Sequence, residues 1–206
     1  MPARSWFERW RDWRHRTVAR PGFQRWAAAF PLTRPIARRE ARQLFDLVAG
    51  FVYSQVLLAC VRLNVFDLLA AGPLSAVELA QRLNLGAEGA DRLVSAAVSL
   101  NLLERRRGGR VALGRLGAPL VGNQAVLSMI EHHATLYADL ADPVALLRRE
   151  GRPSMAGYWP YAATDGGASP AALSPERVTE YSALMSASQP LVTREVIQAY
   201  RFARHR

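Results

Sequence analysis

Residues 74–113 have the sequence LSAVELAQRLNLGAEGADRLVSAAVSLNLLERRRGGRVAL, in which signals for two helices and a hairpin follow one another closely. Ser75 stands three residues before Glu78, the spacing of a capping box that opens a helix. Gly86 is of the residue type that most often ends one. Three apolar residues between them form the predicted buried face: Leu79, Ala80 and Leu83. The pattern predicts a short helix that begins after Ser75.

A second helix is predicted from about Glu88 to Leu100. Its inward-facing residues are apolar and helically spaced: Leu93, Val94, Ala97 and Leu100. A hairpin follows, because residues 102–106 and 110–113 flank a turn at Gly108-Gly109. Two helices and a two-stranded wing, in this order, are typical of a winged helix. The fold class is therefore predicted to be mainly α, with a small β-hairpin.

The residues before this unit are apolar, and one or two helices are predicted over residues 40–70. The run Leu44–Val61 contains Asp46 and Gln55 and is marginally short for a membrane span, which needs about 20 residues. We interpret it as a buried helix. Its apolar face is broader than its own core requires, so a homodimer with an apolar interface is expected.

The first 42 residues form a basic arm. All 27 basic residues of the chain are arginine, and 11 of them lie in the arm with three acidic residues, which gives this segment a charge of +8. Trp6, Trp10 and Trp13 share one predicted helical face, and Pro21 ends that helix. Three interpretations remain open: packing on its own protein or a partner subunit, peripheral membrane contact, or nucleic-acid binding.

After Pro119 the chain is predicted to return to helix. The segment 124–148 is broken at Asp142-Pro143, residues 151–175 form a loop, and a last helix opens at Ser174-Pro175 and extends past Pro190. Three regions result: residues 1–42 are the arm, residues 43–120 the winged-helix region, and residues 121–206 a helical region.

No complete catalytic or metal site is evident. Cys60 is the only cysteine, so a disulfide framework is excluded, and it is predicted to be buried. His132 and His133 are adjacent, about 100° apart on a helix, so one of them could line a pocket while the other meets solvent. There is no H-E-x-x-H spacing and no glycine-rich loop after a strand. Residues 4–20 lack the apolar core of a secretory signal, so a cytoplasmic location is expected.

A winged helix raises the alternative of a transcriptional regulator. The second helix offers Arg92 and Ser95 beside Glu88 and Asp91, and most of its other positions are small or apolar. Such a surface suits a protein partner better than a phosphate backbone. We therefore expect no nucleic-acid partner, and keep the DNA-binding regulator as the second hypothesis.

Three stretches resemble the N-terminal region of the plant-type small-molecule O-methyltransferases: VFDLLAAGPLSAVELAQRLNLGAEGADRLVSAAVSLNLLERRRGGRVALGRLGAPLV (65–121), HHATLYADLADPVALLR (132–148) and YSALMSASQPLVTREVIQAY (181–200). The arm and FVYSQVLLACVRLNVFDLL (51–69) narrow the resemblance to the carotenoid branch of that family. The resemblance implies a helical dimerisation region with a winged helix, in an enzyme that transfers a methyl group from S-adenosylmethionine to a carotenoid hydroxyl.

The resemblance also implies parts that this chain lacks. Members of the family continue into a Rossmann-like domain that holds a D-x-G-x-G-x-G loop for the cofactor and a histidine general base, and neither motif occurs here. We therefore expect a fragment that is inactive alone and binds no S-adenosylmethionine.

Five residues are candidates for contact with the substrate. Tyr181 and Met185 match an aromatic and methionine pair, four residues apart, that lines the substrate pocket in the family. Met129, His133 and Tyr137 are weaker candidates, and ordinary helix packing remains the alternative for all five.

Overall fold

A computed structural model describes residues 5–151, Met155 and residues 175–200. The described chain is mostly helical, as predicted, with one small sheet. In chain order its helices are α1 (Trp6–Val18), α2 (Pro21–Ala29), α3 (Arg34–Arg62), α4 (Val65–Ala70), α5 (Ala76–Arg82), α6 (Ala87–Ser99), α7 (Gln124–Asp139), α8 (Pro143–Leu147) and α9 (Pro175–Ala199). The strands are β1 (Leu74–Ser75), β2 (Leu103–Arg105) and β3 (Arg110–Leu113). Residues 1–53 and 54–206 form two compact units.

The first unit contains α1, α2 and the beginning of α3. Ser5 opens α1 with a capping box, because its Oγ accepts from the Glu8 N–H at 3.3 Å and its own N–H donates to Glu8 Oε2 at 3.0 Å. Pro21 is the first residue of α2, so the predicted break is confirmed. Among residues 5–53 no side chain is fully buried.

The second unit is built around the predicted helix pair. The Glu78 N–H donates to Ser75 Oγ at 3.2 Å, and the Ser75 N–H donates to Glu78 Oε2 at 2.8 Å, which confirms the capping box. Hydrogen bonding from Ser75, first from its backbone N–H and then from its side chain, favours the ionised carboxylate and lowers the pKa of Glu78. Leu79 is fully buried, and Val94 and Ala97 of α6 are buried as predicted.

The predicted role of Gly86 was wrong. Helix α5 ends at Arg82, and the left-handed residue that follows it is Asn84 (φ 52°), two residues before Gly86. The Leu85 N–H then donates to the Ala80 carbonyl at 3.0 Å and closes the helix end. Asparagine tolerates this conformation better than most residues, so Gly86 is left to begin α6 with ordinary extended dihedrals.

The sheet has the order β1-β3-β2, and all of its pairs are antiparallel. The predicted hairpin is confirmed: Leu103 pairs with Leu113, and Arg105 with Val111. Strand β1 was not predicted, because two residues carry no periodicity. It is held in place by the Arg110 side chain, whose Nε donates to the Pro73 carbonyl at 3.2 Å.

One hydrophobic core joins α3, α4, α5, α6 and the sheet. Its buried residues are Cys60, Val65, Phe66, Leu69, Leu79, Leu83, Val94, Ala97, Leu102, Leu103 and Val111. Each fully buried leucine or phenylalanine contributes about 1.5–3 kcal/mol by leaving water. The prediction for Cys60 is confirmed, and burial raises the pKa of its thiol to about 11.

The interpretation of Leu44–Val61 as a buried helix was wrong for its first half. Leu47 is 80% exposed and Phe51 is 72% exposed, whereas Leu58 and Cys60 are buried in the core. Only the last turns of α3 have core residues to pack against. By length and composition alone α3 could cross a membrane, but these last turns already lie inside a protein core.

The later helices follow the sequence patterns. The break at Asp142-Pro143 is confirmed, and Asp142 caps α8 by accepting from the Ala145 N–H at 2.9 Å. Helix α9 continues through Pro190 to Ala199, as predicted. Most of the predicted loop 151–175 lies outside the described residues.

Two glycines allow the segment after the hairpin to lie directly on the backbone before it. The N–H of Gly114 donates to the Leu102 carbonyl at 2.9 Å. A Cβ on Gly117 would stand 2.0 Å from that carbonyl oxygen and 3.1 Å from a ring carbon of Phe66. A side chain at Gly117 therefore cannot be accommodated without a shift of the backbone.

We expect Gly117→Ala to lower the free energy of unfolding by about 3 kcal/mol, because the added methyl group overlaps backbone atoms. Gly89→Ala is the matched control. Gly89 lies in α6 with open space around it, so alanine there should raise stability by up to about 1 kcal/mol. Urea denaturation followed by circular dichroism measures both. Equal effects of the two substitutions would contradict the close approach.

Candidate substrate cavity

The second unit contains a cavity of about 520 Å³ between α7, α9 and the end of α3. Four lining residues are apolar: Val61, Leu127, Ala183 and Leu184. Five are polar or charged: Gln124, Ser128, Glu131, His132 and Thr135. The polar residues all lie on α7, so the cavity has one polar wall and an otherwise apolar lining.

Two local interactions position α7. Asn123 caps the helix, since its Oδ1 accepts from the Val126 N–H at 3.3 Å. Arg62, at the end of α3, pairs with Glu131 at 3.0 Å between Nη2 and Oε2. Both partners of this ion pair are largely exposed, so it contributes little to stability. Its effect is to hold the end of α3 against α7 at the cavity.

Apart from Glu131, which pairs with Arg62, the polar wall offers neutral hydrogen-bonding groups. Gln124 Nε2 donates to Ser128 Oγ at 3.2 Å. The pKa of His132 is lowered, mainly by burial and secondly by the nearby charge of His133. His132 is therefore neutral near pH 7 and has one nitrogen that donates and one that accepts. Such a wall is suited to a ligand hydroxyl, whose oxygen both donates and accepts.

Four of the five predicted substrate residues have described side chains, and none of the four is part of this lining: Met129, His133, Tyr137 and Met185. Met129, His133 and Tyr137 are half-buried on α7, roughly on the opposite side of the helix from Ser128 and Thr135 at 100° per residue. His132, not His133, lines the cavity.

The other two predicted residues lie on α9. Met185 is half-buried and directly follows Leu184, which lines the cavity. Tyr181 belongs to α9, and its side chain lies outside the described residues. The five assignments stay predictions.

Sequence reasoning missed the polar wall. Gln124, Ser128 and His132 recur every four residues, and Glu131 and Thr135 repeat that spacing. A polar stripe at helical spacing was therefore visible. It was overlooked because the apolar residues of the same segment gave a clear stripe of their own.

Other site types find no support in the described ranges. Across residues 5–151, Met155 and residues 175–200, no group of three His, Cys, Asp or Glu side chains is placed to hold a metal ion. Gly108 and Gly109 take φ values of 73° and 71° in the hairpin turn. They do not lead into a helix N-terminus, where a phosphate-type ligand would bind.

One ion pair joins the hairpin to α6. Arg105 Nη2 lies 2.8 Å from Asp91 Oδ1 and 3.0 Å from Ser95 Oγ. Within the hairpin, Arg106 pairs with Glu104 at 2.7 Å. These two arginines are engaged with carboxylates of the same unit, so part of the positive charge of the hairpin is compensated.

Residues 45–123 match the family model of the O-methyltransferase dimerisation domain. The matched segment makes up less than half of this chain. The chain is 43% identical over 176 residues to demethylspheroidene O-methyltransferase of Cereibacter sphaeroides, an alignment that covers 85% of this chain and 45% of that protein. Identity to demethylspheroidene O-methyltransferase of Rhodobacter capsulatus is 40%, over 82% of this chain and 42% of that one. The chain thus spans less than half the length of these curated relatives.

A solved structure shows the same architecture. The crystal structure of human N-acetylserotonin methyltransferase in complex with SAM superposes with a TM-score of 0.59 and 27% identity, over 78% of this chain and 49% of that one. The segment that matches the dimerisation domain begins in the exposed half of α3 and ends at Asn123, the cap of α7. Apart from Val61, the cavity lining therefore lies beyond the matched domain.

We expect the stability of the protein to fall as the pH is lowered through the region below 6.5. The folded pKa of His132 lies below the ordinary value of 6.5, so the unfolded chain takes up the proton first and acid favours unfolding. Unfolding free energies measured from pH 7.5 to 5 should decline less steeply in His132→Gln than in the parent.

His15→Gln is the control, because His15 is exposed on α1. This variant controls for the removal of an exposed imidazole from the chain. In His133→Gln, an NMR titration should show the His132 midpoint moving only partly back toward 6.5, since burial is the larger cause. A parent midpoint at or above 6.5 would show that His132 is not desolvated.

Proposed function

We propose that this chain is the dimerisation and substrate-positioning half of an S-adenosylmethionine-dependent O-methyltransferase that acts on a carotenoid hydroxyl. The main support is the match of residues 45–123 to the O-methyltransferase dimerisation domain. The chain is also 43% identical, over most of its length, to a demethylspheroidene O-methyltransferase. The protein would work in the cytoplasm, beside the membrane that holds so apolar a substrate, with its arm contacting that membrane.

We also propose that the dimerisation domain contains a winged helix that serves packing. The order α5, α6, β2, β3 supports this assignment. The pairs Arg105–Asp91 and Arg106–Glu104 support a structural use of the wing. The alternative, a DNA-binding regulator, requires duplex binding that falls steeply with salt. Weak, unselective binding in a gel-shift series would remove that alternative.

The chemistry of methyl transfer sets what this half must do. The acceptor oxygen forms a bond to the methyl carbon while the bond from that carbon to sulfur breaks, and the hydroxyl proton passes to a base. S-adenosylmethionine, when bound, supplies the methyl group. We propose that its binding residues and the base lie outside this chain, because no described loop has the required strand-to-helix glycines. What remains for this half is to align the acceptor and exclude water.

The cavity on α7 and α9 suits the alignment step. Its apolar residues accommodate a hydrocarbon, and Ser128, His132 and Thr135 are placed to bond a hydroxyl at the polar wall. We retain Tyr181, Met185, Met129, His133 and Tyr137 as further substrate contacts.

The cofactor assignment predicts that this 206-residue chain gives no saturable heat signal when titrated with S-adenosylmethionine in a calorimeter. A positive control is the full-length Cereibacter sphaeroides relative measured under the same conditions. A stoichiometric, micromolar isotherm for the chain would contradict the proposal that the residues that bind the cofactor lie outside it.

The proposed reaction predicts that the full-length protein methylates a hydroxylated carotenoid. The same carotenoid without its hydroxyl should remain unchanged.

The exposed apolar half of α3 predicts a homodimer. Leu44, Leu47, Val48 and Phe51 share one face and are each more than 60% exposed. An apolar face of this kind is characteristic of obligate interfaces. Analytical ultracentrifugation at tens of micromolar should therefore show a dimer, and Leu47→Glu with Phe51→Glu should raise its dissociation constant at least tenfold.

The matched control is Leu147→Glu. Leu147 is 84% exposed on α8 and lies outside the apolar face, so the same change of side chain should leave the dimer intact. A monomeric parent, or a control that dissociates as readily as the α3 variant, would place the interface elsewhere.

A further inference from the structure

We propose that the arm, residues 5–42, binds the surface of an anionic lipid bilayer, with the tryptophan face of α1 at the headgroup boundary. The proposal goes beyond the reaction and is independent of it, because it stands on the arm's own exposed residues and charges. The proposed binding partner of this surface is a layer of negatively charged lipid headgroups.

The apolar side of α1 is a row of large aromatic residues. At about 100° per residue, Trp6, Trp10 and Trp13 fall within an arc of about 60°. They are 73%, 43% and 60% exposed. A contiguous exposed row of this size marks an interaction surface. Tryptophan, with an apolar ring and one N–H donor, is enriched where hydrocarbon meets polar headgroups.

Arginines border this row on both sides. On the helical projection, Arg9 and Arg16 lie along one edge and Arg14 along the other. The Arg14 guanidinium lies 5.4 Å from the centre of the Trp10 ring. Glu8 projects to the far side, and its carboxylate is bound by the Ser5 N–H. An anionic surface in contact with the tryptophans would therefore also contact the arginines along both edges of the row.

The rest of the arm continues the same chemistry. Trp26 stacks on Phe30 with ring centres 5.1 Å apart, and both rings remain 40% or more exposed. Leu32 is 79% exposed. Four arginines border an open cleft at the start of α3, a shape and charge suited to phosphate oxygens: Arg34, Arg38, Arg39 and Arg42. All arginines of residues 5–42 are exposed.

Charge and shape favour lipid over the other occupants. Residues 5–42 hold ten arginines and three acidic residues, a charge of +7, so the arm of a second copy would be repelled. Nucleic acid would use the arginines and could stack on tryptophan. It offers nothing to aliphatic side chains such as Leu32 and Ile36, which are 79% and 60% exposed. The acyl boundary of a bilayer accepts both kinds of side chain.

The test is co-sedimentation of the full chain with vesicles of phosphatidylcholine, with and without phosphatidylglycerol. We expect binding to the anionic vesicles only. It should weaken by on the order of tenfold between about 0.05 M and about 0.5 M salt, as screening reduces the attraction. Lipids brominated near the headgroup should quench the tryptophan fluorescence of the bound protein.

Two variants separate the apolar contribution to vesicle binding from the electrostatic contribution. The triple change Trp6→Ala, Trp10→Ala and Trp13→Ala should weaken vesicle binding at least tenfold and leave the helical content and the oligomeric state unchanged. Its matched control removes two exposed aliphatic side chains outside the arm, Val77→Ala and Leu147→Ala, and should bind like the parent.

The charge variant replaces three arm arginines with glutamine: Arg9, Arg11 and Arg14. Its control has the same net charge but changes three exposed arginines of the second unit: Arg82, Arg107 and Arg115. Only the arm variant should lose affinity for anionic vesicles. Equal losses would show that total charge, and not the arm, governs binding.

Other results would overturn the proposal. Failure of the parent to sediment with anionic vesicles would do so, as would equal sedimentation with neutral ones. So would a triple tryptophan variant that binds vesicles as well as the parent. Loss of self-association in that variant, without loss of vesicle binding, would assign the face to a second copy. A single-stranded oligonucleotide that displaces the vesicles and binds more tightly at equal salt would assign the arm to nucleic acid.

Discussion

The close approach of residues 114–117 to the backbone of Leu102 is the constraint on which the second unit depends. It brings the end of the hairpin onto the end of α6, and it places Phe66 of α4 against the same turn. The helix pair, the sheet and α4 thereby enclose one core. A side chain larger than hydrogen at Gly117 would overlap the Leu102 carbonyl oxygen and crowd the Phe66 ring, so these layers could not pack this closely.

Much of this unit was predictable because its signals are local. Ser75 and Glu78 cap α5 as their spacing indicates, and the apolar periods of α5 and α6 name the buried residues. The errors have a common physical origin. Asn84 took the left-handed position that Gly86 was expected to take, since either residue, two positions apart, could follow the end of the helix. Leu47 is as apolar as Leu58, yet only Leu58 has a core to enter. Composition indicates that a residue tends to be buried, but it does not indicate which surface, of the same chain or of a partner, covers it.

The residues that line the cavity could not be predicted from helical periodicity alone. His132 and His133 differ by one position, and a helical period cannot say which of them faces α9. That choice depends on where α9 packs, a contact between residues some fifty positions apart in sequence. The polar stripe of Gln124, Ser128 and His132 was present in the sequence. The stripe indicates a binding site only once the fold places the apolar residues of α9 and α3 opposite it.

Cys60 is the chain's only thiol, and it is fully enclosed by the core, with a pKa raised to about 11. The native protein therefore presents no reactive thiolate to solvent at neutral pH. A cysteine introduced at any exposed position would be the sole target for a maleimide dye or a spin label, without prior removal of the natural one. The same enclosure makes Cys60 a reporter of unfolding, because its alkylation requires the core to open.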